Sequence, residues 1–467
     1  RVDRRQRQMC IRDRYKTHYF FSLLFLLCSC HVLSQVKVEG EGLSQTDSLT
    51  RFHFDLQDTD YQSLSLSLEL VFQDQTEIVD GSFLSLQMTK SSGAKPQDIE
   101  FARIYLPSNE VPYRNIIYDF DLVLWQNLLK KNGQIIIHSS APHHHLLIKS
   151  SLLLEVGSPP FMVTDIIPLW QSSLQGFEYG KDGISEELLT TQKITLPESC
   201  NHAFIDLIIS GKSEDDEAEA KFYFLKVNGE EIAKRSVWRE DCSSNPLFPQ
   251  MDDWYVERPN WCPGLRVHPY SHFLEEKYLQ SSNLEIELLF QKDQKEESEM
   301  DSYVISAVVF ALEQAPQKLN ADIKEILAPN NKLWHHRYNP ICGSPVLFIQ
   351  NTGSETIKSI TFNYGYNYQT DTKYRWKGEL EFMEEELIYL PPLNWYFFEN
   401  NDQPETFTAH ISAINGEKDA YVHASKTSEM ELANVYPSEL RFEIQTDQYA
   451  HDNGLEIFND EGDVYFY

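Results

Sequence analysis

The residue types best suited to chemistry crowd into one stretch, "SVWREDCSSNPLFPQMDDWYVERPNWCPGLRV", Ser236 to Val267. It holds two cysteines, three tryptophans, four prolines and three arginines. Cysteines in a loop can bridge, and arginine and indole side chains can bind. Trp238, Trp254 and Trp261 are separated by Pro, Asn, Asp and Ser, the residues of turns, so no regular apolar period accounts for them. The stretch reads as an ordered loop under constraint. Two histidine clusters offer a different chemistry, "APHHHLL" (His143 to His145) and "LWHHRY" (His335, His336). Adjacent histidines on a strand point to opposite faces and cannot all ligate one ion. They read as exposed loops, and the expectation is that no metal or other cofactor is needed. Serine-hydrolase elbows, phosphate-binding loops and dinucleotide fingerprints are absent.

The elements that must position these residues are strands. "LSLSLELVF" puts Leu64, Leu66, Leu68 and Leu70 on one side of a strand, and "YVISAVVFAL" from Tyr303 reads as a strand buried on both faces. "LVLWQNLLKK" near Leu122 is the best short helical candidate. "SPVLFIQNTGSETIKSITFNYGYN" reads as two alternating runs paired across Asn351, Thr352 and Gly353, which suits a small Ig-like sandwich. The class is mostly β. Boundaries are suggested by "EVGSPP", Glu155 to Pro160, and by the polar stretch Leu327 to Pro340.

Charge and processing limit the function classes. The chain has 40 basic and 71 acidic residues, a net charge of −31. That argues against nucleic acid and anionic lipid as partners. A positive segment (Arg14, Lys16) before the apolar run Tyr19 to Cys28 has secretory signal architecture, too short for a membrane span. Residues before about Tyr15 match neither a signal nor a fold and look like translated adapter sequence. Cleavage is expected after Ser34; a second reading takes "LCSC" as a lipobox with Cys30 lipidated. Either way the chain is expected to be secreted, periplasmic or on the cell surface. Cys200, Cys242, Cys262 and Cys342 remain after the signal region, an even number that permits two disulfides.

"REDCSSNPLFPQ" followed by "WYVERPNWCPG" resembles the C-terminal domain of the peptide:N-glycosidase F family. "QSSLQGFEYGK", "KITLPE", "IISGK", "VNGEE" and "MDSYVISAVVF" follow in family order, and "FDLVLWQNLLKKNGQI" and "LLLEVGSP" fall in register in the N-terminal half. The likeness covers about Val36 to Pro316. It implies two tandem eight-stranded antiparallel jelly rolls, at 35–157 and 158–316, an architecture shared with the peptidylglycine hydroxylating monooxygenases. A third β-domain at 317–467, read as Ig-like, lies outside the enzyme; "DVYFY" stops on a strand-like pattern, so that domain is expected to be truncated. The family reaction hydrolyses the amide joining asparagine to the first N-acetylglucosamine of an N-glycan, so the implied partner is an N-glycoprotein or its glycan. The resemblance also implies a Cys242 to Cys262 disulfide.

Residue by residue, Arg258 and Trp261 in "ERPNWCPG" fall on the family's cleft arginine and tryptophan. The family's essential Asp, in a Trp-Asp-Arg setting, is best matched by Asp80, where Val79 and Gly81 replace both neighbours. The second acid falls on Glu217, or on Glu219 with a short gap, in "DDEAEAKF", where both flanking cysteines of the family are gone. The third acid and its tryptophan land on Ser140 and Pro142, and a further tryptophan lands on Lys212. Each position has a plainer structural reading. Trp261 can cover a disulfide. Arg258 can pair with Glu257 or Asp253 at the surface. Asp80-Gly81 is a turn pair, and Glu217 and Glu219 sit in an acidic run of the kind that usually faces solvent.

Two hypotheses follow from these residues. One is an N-glycan amidohydrolase using Asp80 with Glu217 or Glu219, with Arg258 and Trp261 binding the sugar; the lost supporting positions predict weak or absent turnover. The other is a non-catalytic glycan- or protein-binding module on the same double jelly roll.

Overall fold

The computed structural model describes residues 36–39, 41–46, 48–91, 96–108, 113–130, 133–142, 144–180, 183–185, 187–212, 220–248, 250, 253–292, 301–313, 317–338, 344–393, 406–418, 424–430, 457–458 and 464–466. Leu64, Leu66, Leu68 and Leu70 alternate with Ser65, Ser67 and Glu69 along the strand Tyr61–Glu77 and are all at most 1% exposed. Burying each such side chain contributes roughly 1.5–3 kcal/mol. That strand lies between His144–Val156 and Asn115–Asp121 in a four-stranded sheet, with Val36–Glu39 at its edge. A five-stranded sheet packs over it, in the order Glu41–Thr46, Leu49–His53, Gln134–Ser139, Phe83–Lys90, Gln97–Tyr105. All pairings are antiparallel, and the two inner faces share one apolar core. The helical candidate near Leu122 is a 3-10 turn, Val123–Trp125, running into one α-turn, Gln126–Leu129.

The second jelly roll is built around the strand expected to be buried on both faces. Asp301–Leu312 runs antiparallel to His202–Lys212 over eleven residue pairs, from Leu312 to Ser302. Alternate residues of His202–Lys212 serve two cores. Ile205, Leu207 and Ile209 face the second jelly roll's own interior, while Phe204 and Ile208 face the first. The two jelly rolls therefore share a packed seam. A four-stranded sheet, Gln192–Thr195, Asn283–Phe290, Lys221–Val227 and Glu230–Val237, closes the second core.

Val163–Gln171, Phe177–Gly180, Gly183–Ile184 and Tyr270–Phe273 complete the six-stranded sheet of the second jelly roll; beyond it a three-stranded sheet (Ala321–Ala328, Val346–Asn351, Glu385–Tyr389) and a four-stranded sheet (Thr372–Leu380, Ile357–Tyr366, Thr406–Ile414, Ser425–Glu429) form a β-sandwich, and Ile457–Phe458 pairs separately with Val464–Phe466. The expected hairpin across Asn351 is corrected here. Val346–Asn351 and Ile357–Tyr366 lie in different sheets. Both runs are buried, and the connection between them arches over the core: Asn351, fully buried, donates to Glu355 O at 3.0 Å and Leu380 O at 2.9 Å. The polar stretch from Leu327 is in part ordered. Leu333–Tyr338 forms a 3-10 helix, and Trp334 Nε1 donates to Ile117 O of the first jelly roll at 2.7 Å.

Candidate functional site

A cleft of about 290 Å³ opens at the seam. The first jelly roll lines it with the turn Val79 to Phe83, Tyr105 and Ser140; the second lines it with Gln175, Lys212 and Trp261. Asp80 sits on an exposed turn in which Ser82 N donates to Val79 O at 3.1 Å. Gly81 has φ +66°, a left-handed conformation that glycine adopts without a side-chain clash. The turn-pair reading of Asp80-Gly81 thus holds, and the turn itself forms a wall of the cleft.

Trp261 is held from several directions. Its Nε1 donates to Gly211 O at 2.9 Å, and its ring stacks on Tyr105 with centroids 4.1 Å apart and planes 14° apart. The Arg258 guanidinium lies over the same indole, 4.8 Å from the centroid. Arg258 Nη1 donates to the backbone carbonyls of Asp253 (2.8 Å) and Val256 (3.0 Å), so it pins a turn. Glu257 instead accepts from Trp238 Nε1 at 2.8 Å. Burial draws the Arg258 pKa below its usual value, and the Asp80 and Asp253 carboxylates act against that. Asp80 and Arg258 are therefore electrostatic neighbours across the seam.

Cys242 and Cys262 are bridged, with Cα atoms 5.4 Å apart, as the resemblance implied. The bridge carries the loop that ends in Trp261. Trp261 belongs to a different cluster, with Phe83, Tyr105, Ile208, Val267 and Val304, whereas Trp334 packs against the cluster of Cys242, Cys262 and Leu265. Cys200 is a free, half-buried thiol.

The other aligned positions divide into those at the cleft and those away from it. Ser140 lines it, with Oγ accepting from Phe83 N at 2.8 Å. Lys212 lines it as an exposed residue at the end of its strand. Pro142 is exposed and is not among the lining residues. Glu217, Glu219, Cys342 and His143 lie outside the described residues. His335 is buried, with Nε2 2.8 Å from Glu325 Oε1. Among the described residues no three His, Cys, Asp or Glu side chains gather into a metal-ligand group.

Sequence reasoning missed the network behind the cleft. Glu100 and Arg103 are 3% and 0% exposed at the seam. Arg103 donates to both Glu100 oxygens (Nε 3.0 Å, Nη2 2.5 Å), and its Nη1 reaches Ser210 Oγ and Val304 O, each at 2.8 Å. Ser306 Oγ also donates to Glu100. Residues three apart on a regular strand face opposite sides, but the pairing skips Phe101, and this bulge brings Glu100 and Arg103 to one face. Ser210 Oγ lies 3.0 Å from Tyr105 Oη, which links the ion pair to the Trp261 stack. The network's sequence signal is the pair of opposite charges in the run Ile99 to Tyr105, whose other residues are hydrophobic or aromatic.

Among the described residues the cleft's lining offers one carboxylate, Asp80, and one cation, Lys212, with Arg258 over the Trp261 indole. Amide hydrolysis asks for a base or nucleophile, a second acidic group and oxyanion donors. Glu100 supplies no second acid, because its oxygens are held by Arg103 and Ser306.

A family model described as "Peptide-N-glycosidase F, C terminal" matches residues 179–310. Peptide-N(4)-(N-acetyl-beta-D-glucosaminyl)asparagine amidase F of Elizabethkingia miricola is 26% identical over 175 residues, 34% of this chain and 48% of that protein. The match spans about half the length of that curated relative. The solved structure of PNGase F, a glycosylasparaginase from Flavobacterium meningosepticum, gives a TM-score of 0.51 at 18% identity, covering 60% of this chain and 96% of that one. A second structure, of peptide-N(4)-(N-acetyl-beta-D-glucosaminyl) asparagine amidase, gives the same values. The chain is thus similar in sequence to peptide:N-glycosidase F, most clearly over residues 179–310, and shares the paired jelly-roll fold of that solved structure.

Proposed function

We propose that this is an exported protein whose seam cleft recognises N-glycans on proteins, and in which hydrolysis of the Asn–GlcNAc amide is weak or lost. One observation carries the reading. Asp80 from one jelly roll and Trp261 from the other line a single cleft with Ser140 and Lys212, and Arg258 lies behind that lining, over the Trp261 indole and within the field of Asp80. Asp80 is the residue to activate water or attack the amide carbon, and Arg258 and Trp261 shape the sugar side. Val79 and Gly81 give Asp80 neither an aromatic wall nor an adjacent cation. Lys212 puts a flexible ammonium where an aromatic surface would hold a sugar ring. The Cys242–Cys262 bridge suits an oxidising compartment. No helix among the described residues is long and apolar enough to cross a membrane.

The test is incubation of the purified chain with a denatured N-glycoprotein, followed by mass spectrometry for the conversion of asparagine to aspartate, beside a binding measurement with the released glycan. Binding that is lost in Trp261→Ala, with little or no conversion, is the expected result. Robust turnover abolished by Asp80→Ala would restore the full enzyme reading, and absence of both binding and turnover would defeat the proposal.

A further inference from the structure

We infer that the C-terminal sandwich is an intramolecular brace for the bridged loop, with Trp334 as the positioning residue. Sequence alone makes Leu333–Tyr338 a polar connection. The Trp334 side chain instead packs against the small buried cluster that the bridged Cys242 and Cys262 form with Leu265. The ring also packs against Tyr118, centroids 5.0 Å apart, while its Nε1 donates to Ile117 O at 2.7 Å. Tyr118 itself reaches the same loop, its hydroxyl donating to Gly264 O at 2.7 Å. Gly264 has φ +79°, and a Cβ there would lie 2.5 Å from the Leu247 side chain. The loop is thus held at the bridge by the third domain and at its following turn by the first.

Trp334 does not reach this position as a free tail. Lys332, two residues earlier, pairs with Asp119 at 3.1 Å and with Glu325 at 3.7 Å, and His335 pairs with Glu325 at 2.8 Å. Lys324 pairs with Asp121 on the same strand of the first jelly roll. Away from this contact, Phe382 packs on Phe161 and His202 at 5.9 and 4.4 Å, and Met383 joins the core of the first jelly roll. The sandwich is docked at separate points, and Trp334 against the bridged cluster is one of them. A half-buried indole packed against a bridged pair limits the approach of an attacking thiolate, because in-line attack needs access to a sulfur. The brace has two consequences: it keeps Arg258 and Trp261 in register, and it makes the bridge resistant to reduction while the third domain stays docked.

The test uses the full chain and dithiothreitol, which attacks the bridge by thiol–disulfide exchange, leaves as its cyclic disulfide and releases Cys242 and Cys262 as two thiols. Trp334→Ala is expected to speed reduction about tenfold, read by alkylation and mass spectrometry where far-ultraviolet circular dichroism shows the chain folded. Trp334→Phe keeps a ring against the bridged cluster and should return the rate to within about twofold of the parent. Lys324→Ala with Lys332→Ala leaves the indole intact but removes the ion pairs that dock it, and should also speed reduction; this variant decides the question if Trp334→Ala does not fold. A parental rate in the double variant or in folded Trp334→Ala overturns the inference, as does a Trp334→Phe rate equal to that of Trp334→Ala. None of these readouts depends on glycan binding or release.

Discussion

Tyr105 and Trp261, one from each jelly roll, stack at 4.1 Å across the seam, and the stack forms a wall of the cleft. The pairing ties the geometry of the cleft to that of the seam, because any slide of one jelly roll past the other separates the rings. Behind it, Tyr105 Oη, Ser210 Oγ and Arg103 Nη1 make a continuous path to the Glu100 carboxylate.

Tyr105→Phe keeps the stack and removes one buried hydrogen bond, an expected cost of about 1 kcal/mol. Tyr105→Ala also removes the ring from a packed site, and the cost should rise to roughly 3–5 kcal/mol. Urea unfolding of the two variants checks the ratio. Near-ultraviolet circular dichroism should change with Tyr105→Ala and stay close to the parent with Tyr105→Phe.

Arg103→Met strands the Glu100 carboxylate in an apolar seam. Breaking a buried pair from one side costs about 3–5 kcal/mol. Adding Glu100→Leu should recover much of that loss, since both charges are then gone. A double-mutant cycle by chemical denaturation measures the coupling, and additive losses would show that the pair acts only as packing.

Glu325 gives the docked sandwich an acid limit. Burial pushes its carboxyl up, but the hydrogen bond from His335 and the positive charges of His335, Lys332 and Lys426 outweigh that and hold it at about 2, against an ordinary value of 4.5. The folded-state pKa is depressed, so the stabilisation is present above about pH 4.5 and is lost as pH falls toward 2. Glu325→Gln should flatten the acid limb of the stability curve over that window, measured by denaturant unfolding at pH 3 and pH 6. Identical curves for the variant and the parent would remove Glu325 from the account.

Much of the fold could be read from local pattern, because burial on one face writes itself as alternation. Leu64 to Leu70 and the run from Tyr303 are of this kind. The loop was legible as a constrained one because its turn residues are local, but the Cys242–Cys262 pairing within it came from the family resemblance, since the cysteine count alone left the connectivity open. What stayed hidden depends on partners distant in sequence. Nothing near Glu100 announces Ser306, and nothing near Trp334 announces Ile117 or Cys262. Asn351 misled for a related reason, since an Asn-Thr-Gly arch between sheets and an Asn-Thr-Gly hairpin look alike until strand partners are known. Asp80 was legible as a turn residue, but its place at the seam required the second jelly roll.

The chemistry of the cleft gives the last prediction: N-glycan release is absent or severely weakened in the parent, and substitutions at the cleft wall raise it. Asp80 lies on an exposed turn rather than on a strand. A reacting group about 1 Å out of place can lose on the order of a hundredfold in rate. Ser140 lines the cleft at a position where the family resemblance implies an acid, and Lys212 lines it where the resemblance implies an indole. Ser140→Glu therefore adds a carboxylate to the same space as Asp80, and Lys212→Trp adds a sugar-facing surface beside Trp261. The double variant should release more glycan from a denatured N-glycoprotein than the parent, by about tenfold or more if general acid–base assistance returns. Asp80→Ala placed on the double variant should abolish the gain. Mass spectrometry of asparagine-to-aspartate conversion reads all three chains; a double variant no better than the parent would show that orientation of Asp80, rather than the missing partners, limits the cleft.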